Sequence, residues 1–379
     1  MSRELVAIHT FIAVTLLLGI LVFWYFFGRR LVMAKSTINE FWSNAAYDAV
    51  GIDDRWRCLS AFGREQFKTG GASELVKGWH RNKPLLICAP NTDKFVSVMD
   101  SPLTRDLAIL SDRRSRKIMI WYFTIVGFFF TSIAGFVSLK LLIPVLIMYL
   151  TVIGYLVFSD ILAQRQENWL TNRARFVNWI SIEATRFLLE SALLITLLVL
   201  FQGWASAHFG SIDDAVLNIG LVFASIDLSF EGLFRLLIGP FLHSGPAHSI
   251  GNFIGIILVL PIAMVYSSGW ALCVFVAGTL VGGVVSYYFW SIGSIDLDGF
   301  VGVSGGIFAL LGWLGAILHK NVRLAPLDIS PALVSMAFFL ILVSEVINPS
   351  AGLAAHLGTL IFGGFLGAIA RSVRPFRQT

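Results

Sequence analysis

Uninterrupted apolar runs constrain this chain more than any other feature it carries. Runs at or near membrane-spanning length occupy Leu5 to Phe27, Ile118 to Val137, Leu141 to Phe158 and Phe187 to Phe201. After a gap they continue as Ser249 to Tyr266, Ala271 to Trp290, Val303 to Leu318, Pro331 to Val343 and Leu353 to Ile369. A bilayer interior takes roughly 20 apolar helical residues to cross, so the pattern predicts about nine transmembrane helices. Several in the second set are short and Gly-rich, which suits packed members of a helix bundle. The composition agrees: 56% of the 379 residues are hydrophobic and only 13% charged, about half the charged share of a soluble domain. The first run is longer than the apolar part of a signal peptide and ends in Gly28-Arg29-Arg30 with no small-residue cleavage site, which reads as a retained anchor.

The formal net charge is +5. It forms no basic stripe, so nucleic acid is not an expected partner; the lipid bilayer is. The placement of the charge matters more than its size, because Lys and Arg on short loops are retained on the cytoplasmic side. Arg29, Arg30 and Lys35, then Arg113, Arg114, Arg116 and Lys117, then Arg165, Arg173 and Arg175 all fall on one side if each span is crossed in order. His319, Lys320, Arg323, Arg371, Arg374 and Arg377 fall on the same side, while Asp213, Asp214, Asp227, Asp296, Asp298 and Glu345 fall on the other. The expected topology has Met1 outside and Thr379 inside, in a cell (inner) membrane.

One stretch is not membrane. Residues 29–117 hold about half of all the charged residues in under a quarter of the length. Helix-like text at Ser36 to Val50 is followed by two strand-like runs, Leu85 to Ala89 and Phe95 to Met99, across an Asn-Thr-Asp turn. This predicts a small cytoplasmic α/β domain, and it contains no nucleotide loop, metal cluster or catalytic motif. Cys58, Cys88 and Cys273 lie far apart with no C-x-x-C spacing, so neither a disulfide framework nor a zinc ribbon is supported and the three read as free thiols.

Polar residues inside spans are costly and count as functional candidates. Here they cluster at three helix starts: His243, Ser244, His248 and Asn252 opening one span, Gly302-Val303-Ser304-Gly305-Gly306 another, and Ala355-His356 the last. In the topology above all three helices run from outside to inside, so the groups share one depth near the outer face. A Ser hydroxyl is a weak nucleophile that needs an adjacent base, and an imidazole serves at neutral pH; Ser304 and His356 could form that pair. His248 and Asn252, spaced i, i+4, present two donors on one helix face toward a developing oxyanion. Gly305, Ala309, Gly312 and Ala316 on one span, with Gly363 and Gly367 on another, supply the close helix approach such a pair requires. A lone Ser at a small-residue seam is ordinarily packing, and a lone intramembrane His a bonded core residue. Together with His248 and Asn252 they favour catalysis, because desolvating so many polar groups for packing alone is expensive.

These residues resemble the pattern of rhomboid intramembrane serine proteases over about Trp179 to Arg374. The H-x-x-x-x-H-x-x-x-N element is His243, His248 and Asn252, the G-x-S-G element is Gly302, Ser304 and Gly305, and the A-H element is Ala355 and His356. Three separate motifs occur in the family's order. The resemblance implies Ser304 as nucleophile, His356 as general base, and an oxyanion hole of His248, Asn252 and the Ser304 amide. It implies a bracing role for His243, an aromatic stacked on the base at Phe308, and an outer-loop anchor at Arg235, with no cofactor and no metal. The implied fold is an all-α polytopic membrane protein, a six-helix rhomboid core preceded by three extra transmembrane helices and the small cytoplasmic α/β domain. The expected division is residues 1–28 anchor, 29–117 soluble domain, 118–160 helical hairpin, 176–371 core and 372–379 tail. The implied activity is cleavage of peptide bonds in or near the transmembrane helices of membrane-protein substrates. The oligomeric state is not readable.

Three positions depart from the family pattern. Phe234 stands for Trp before Arg235, Gly239 stands where some relatives carry a further His, and Thr359 replaces a Gly, which would widen a helix contact unless it faces lipid. Rival chemistries fare worse. No H-E-x-x-H occurs for a metalloprotease, Asp296 and Asp298 lie in a loop rather than in facing spans, and no duplicated halves suggest a transporter. The remaining alternative is a catalytically silent rhomboid-like protein that binds transmembrane helices.

Overall fold

The computed structural model describes residues 55–60, 65–68, 71–90, 95–137, 139–165, 168–226, 229–294, 298–320, 328–347 and 352–370. The chain is mostly helical with little sheet, and its contacts divide it into two compact units.

One unit carries the sheet. Strands β1 (Trp56–Ser60), β2 (Glu65–Lys68), β3 (Leu85–Cys88) and β4 (Val96–Ser97) pair antiparallel in the order β2-β1-β3-β4. β3 and β4 fall within the two strand-like runs of the sequence, whereas β1 and β2 were not anticipated. Arg57 lies opposite Cys88 and Cys58 opposite Ile87. Successive strand residues alternate faces, so Cys58 and Cys88 point to opposite sides of the sheet. The core behind it gathers Trp56, Trp79, Ile87, Val98 and Trp169 with the short helix α1 (Ala72–Val76).

Three long helices complete this unit: α2 (Pro102–Val137), α3 (Leu139–Arg165) and α4 (Trp169–Thr185). Proline suits the first position of α2, where its missing N–H would be unpartnered anyway. No Pro or C-capping signal interrupts the following residues, so α2 runs without a break through residue 117, where a boundary was expected from the change in composition. α4 packs on the sheet rather than opening the core. The Asn178 side chain accepts from the Leu85 N–H at 2.7 Å and donates to the Leu85 carbonyl at 3.3 Å, and Arg175 pairs with Asp100 at 2.5 Å. The contact unit accordingly closes at Arg186, and residue 176 lies inside α4. The charges near the helix ends are mutually satisfied: Arg81 clasps Asp112, Arg173 pairs with Asp328 at 3.0 Å, and Arg186 with Glu183 at 2.9 Å. Arg116 donates to the Leu156 carbonyl.

The other unit holds α5 (Leu188–Phe209), α6 (Ile212–Ile219), β5 (Leu221–Val222), α7 (Phe230–Ile238), α8 (Pro246–Tyr266) and α9 (Ser268–Ser291). It continues with β6 (Gly299–Phe300), α10 (Ser304–Lys320), α11 (Ile329–Ile347) and α12 (Leu353–Ile369). α10 is apolar on every side and is buried on every side from Ser304 through Gly315. Its most extensive partner is α12, with α9, α11 and α8 around it. Ser211 and Ser229 cap α6 and α7 by accepting from the amides of Asp214 and Gly232. β5 pairs with β6, Leu221 opposite Phe300, which ties the loop between α5 and α8 to the segment leading into α10.

Five described helices are long and apolar enough to cross a membrane: Pro102–Ile133, Val145–Leu162, Leu188–Phe209, His248–Tyr266 and Ser268–Ser291. Ser304–His319, Ile329–Leu342 and Leu353–Ile369 are shorter apolar helices. The chain is a multi-pass membrane protein. The earliest expected span, residues 5–27, lies outside the described residues, as do the helix-like residues 36–50 and the tail 372–379.

Candidate active site

Three helix N-termini meet at the site. Ser304 is the first residue of α10, His356 lies in the first turn of α12, and His248 and Asn252 occupy the first two turns of α8. Each helix start leaves backbone N–H groups without intrahelical partners and carries the positive end of the helix dipole. Negative charge developing there is therefore favoured before any side chain is considered.

Ser304 Oγ and His356 Nε2 are 2.9 Å apart in a buried setting, the serine 9% exposed and the histidine 4%. Among the described residues, no group bonds His356 Nδ1. Among the described residues no carboxylate therefore stands behind the imidazole in the way a triad requires. The ring is held instead by packing: Phe308, one turn along α10, lies with its centroid 4.5 Å from that of His356 at 39°.

The helix seam sets this distance. Gly363 packs directly on the Ala309 carbonyl, Gly312 on the Leu360 carbonyl and Gly367 on the Trp313 carbonyl, so α10 and α12 touch backbone to backbone. Thr359 does not face lipid. It is wholly buried in the seam, its hydroxyl donating back to the Ala355 carbonyl at 2.8 Å, and its methyl would sit 3.3 Å from a Cβ placed on Gly305. The contact is not widened, because Gly305 supplies the room that a smaller residue at 359 would have supplied.

His248 and Asn252 meet at Gly302. That glycine has φ +108°, a region that L side chains rarely adopt, and a Cβ there would collide with the His248 Cε1 and Nε2 atoms and lie 3.2 Å from Asn252 Nδ2. The two side-chain nitrogens thus converge two residues before Ser304. Asn252 Nδ2 is buried and lacks a partner among the described residues. Gly302 is itself pinned, its N–H donating to the Pro240 carbonyl at 3.1 Å.

His243 is 1% exposed and makes edge-to-face contacts with His248 at 5.4 Å and Phe253 at 5.7 Å. It packs edge-on against the ring of His248. Arg235, expected as an interface anchor, is turned inward. It is 9% exposed, bonds the Leu217 carbonyl at 2.9 Å and pairs with Glu231 at 2.9 Å, joining α7 to α6. The departure at Gly239 also has a physical reason, since a side chain there would strike the backbone of Gly220 and Leu221.

One neighbour, Gln202, escaped the sequence reading, and another, Ser244, was named there without a role. The Gln202 side chain brackets the His243 backbone, donating to its carbonyl and accepting from its N–H, both at 2.9 Å. Ser244 Oγ lies 3.3 Å from His248 Nδ1. Gln202 was legible as a polar residue immediately after an apolar run, and Ser244 as a hydroxyl at i−4 from His248 on the way into α8.

Residues 231–373 match the Rhomboid domain family model. Over these residues, somewhat over a third of the chain, the protein is similar to a rhomboid domain. The match opens within α7, leaving α5, α6 and the four-stranded sheet outside it. Comparison with curated proteins and with solved structures gives no match.

Proposed function

We propose that this protein is a serine endopeptidase that cleaves membrane-protein substrates in or beside their transmembrane helices, with Ser304 as nucleophile and His356 as general base. The observation that carries the reading is the buried 2.9 Å contact between Ser304 Oγ and His356 Nε2. Ser304 Oγ bonds to the scissile carbonyl carbon as its proton passes to His356 Nε2. The resulting oxyanion accepts from His248 Nε2, Asn252 Nδ2 and the Ser304 amide, in the positive field of three helix starts. His356 then returns the proton to the departing amine as the C–N bond breaks. It next takes a proton from the water that attacks the ester and passes it to Ser304 Oγ as the ester C–O bond breaks, which frees both residues. A helix hides its carbonyls, so a substrate segment must unwind before attack.

The orientation belongs to the same proposal. The basic loops support an orientation with residues 29–117 and the chain's C-terminal end in the cytoplasm and the Ser304 site near the opposite face of a cell (inner) membrane. The partners are transmembrane substrates and lipid. Both reacting residues being present, and paired, argues against the silent relative.

The test is cleavage of a model type I membrane substrate by purified protein. Ser304→Ala removes one oxygen without opening a large cavity, so it should abolish cleavage while leaving insertion and unfolding temperature unchanged. Activity above background in the purified Ser304→Ala protein would overturn the serine mechanism.

A further inference from the structure

His248 is held on the side away from Gly302. Its Nδ1 lies 3.3 Å from Ser244 Oγ, while Nε2 points to the space that the missing Gly302 side chain leaves. Ser244 is not on a loose loop. The preceding residue is clamped through both backbone groups by Gln202, a side chain only 3% exposed, and Ser249 Oγ donates to the Gly245 carbonyl at 3.0 Å just beyond. The hydroxyl is therefore presented to the ring by a fixed turn.

A neutral imidazole carries one N–H, so the partner at one nitrogen decides what the other can do. A hydroxyl donating to Nδ1 leaves the proton on Nε2, aimed where an oxyanion would form. The reverse arrangement would aim a lone pair there and repel it. We propose that Ser244 is a positioning residue that donates to His248 Nδ1 and so holds His248 in the Nε2–H tautomer. Ser244 touches no substrate atom in this role; it makes the histidine a donor. The inference rests on the reading of His248 as an oxyanion donor.

Ser244→Val and Ser244→Thr are nearly the same size and differ by the hydroxyl, so packing and solvent exclusion are matched. Protein labelled with nitrogen-15 in histidine, in detergent at alkaline pH, reports the tautomer directly, with the His248 signals assigned by their loss in His248→Gln. Wild type and Ser244→Thr should show an unprotonated Nδ1 and a protonated Nε2. Ser244→Val should show a mixture, with kcat lowered about tenfold and KM unchanged, less than the hundredfold to thousandfold loss of a whole oxyanion donor. A protonated Nδ1 in wild type, or the same tautomer and kcat in Ser244→Val as in wild type, would overturn the proposal. Should wild type cleave nothing, the protease reading fails by itself, and the nitrogen spectra still decide the tautomer.

Discussion

Gly363 rests against the main-chain carbonyl of Ala309 so closely that no side chain fits between α12 and α10. His356 is seven residues earlier on α12 and Ser304 five residues earlier on α10, so this contact lies close behind the reacting pair and sets how near their helices can come. A methyl group at 363 must move one helix away from a backbone that cannot yield. Gly363→Ala should cost about 1–3 kcal/mol of stability, the usual range for overpacking. It should lower kcat far more than KM, because the 2.9 Å Ser304–His356 contact is the first thing lost. Unfolding and cleavage measured on one detergent preparation check both. A wild-type kcat in Gly363→Ala would show that the seam does not set the catalytic distance.

Gly302 is constrained by its own backbone and by its neighbours. At φ +108° a side chain is strained, a cost on the order of 1–3 kcal/mol for such conformations, and its Cβ would displace the nitrogens of His248 and Asn252. Gly302→Ala should therefore abolish turnover even where the protein remains folded and inserted. The decisive comparison is with Ser304→Ala in the same assay, and near-normal cleavage by Gly302→Ala would place the oxyanion elsewhere.

The candidate site was legible because its residues are unusual for their surroundings. His248, Asn252, Ser304 and His356 stand out in apolar text, and the spacing of small residues marks where two helices touch. What was missed has equally physical reasons. β2, Glu-Gln-Phe-Lys, shows no alternation of apolar and polar residues, and its pairing with β1 is a non-local contact that no local pattern encodes. The boundary expected at residue 117 followed a change in composition from charged to apolar, but helix hydrogen bonding does not respond to that change and α2 continues through it. Arg235 was expected to anchor the outer loop in the membrane interface; only the fold shows that the Leu217 carbonyl and Glu231 draw it inside.

Asn252 separates function from stability. Its Nδ2 is buried without a partner among the described residues, and such a group contributes nothing to the resting fold while costing its desolvation. Asn252→Ala should reduce turnover about a hundredfold to a thousandfold. Its unfolding midpoint should barely move, because losing an unpartnered amide offsets the small cavity left behind. A large drop in stability with a proportionate drop in activity would make Asn252 a packing residue instead.

In the sheet-bearing unit the corresponding pressure point is Asp112. Arg81 is 3% exposed and is held from every side: Nε and Nη2 on the Asp112 carboxylate, Nη1 on the Ser159 carbonyl at 2.9 Å, and its guanidinium over the Trp169 ring at 4.9 Å. The Arg81 N–H also donates to Asp112 Oδ1 at 2.8 Å, so one carboxylate anchors both the backbone and the side chain. Removing that carboxylate leaves a buried cation with only the half-exposed Asp160 near it, 3.4 Å away. Asp112→Ala should destabilise this unit by about 3–5 kcal/mol, the range for breaking a buried ion pair. Replacing both partners, as in Arg81→Met with Asp112→Leu, should recover most of the loss, since no charge is then stranded. Limited proteolysis at residues 55–186, followed beside thermal unfolding, reads the effect in the unit where it arises. If the double variant unfolds as readily as Asp112→Ala, the pair contributes through its specific hydrogen bonds rather than through neutralising a buried charge.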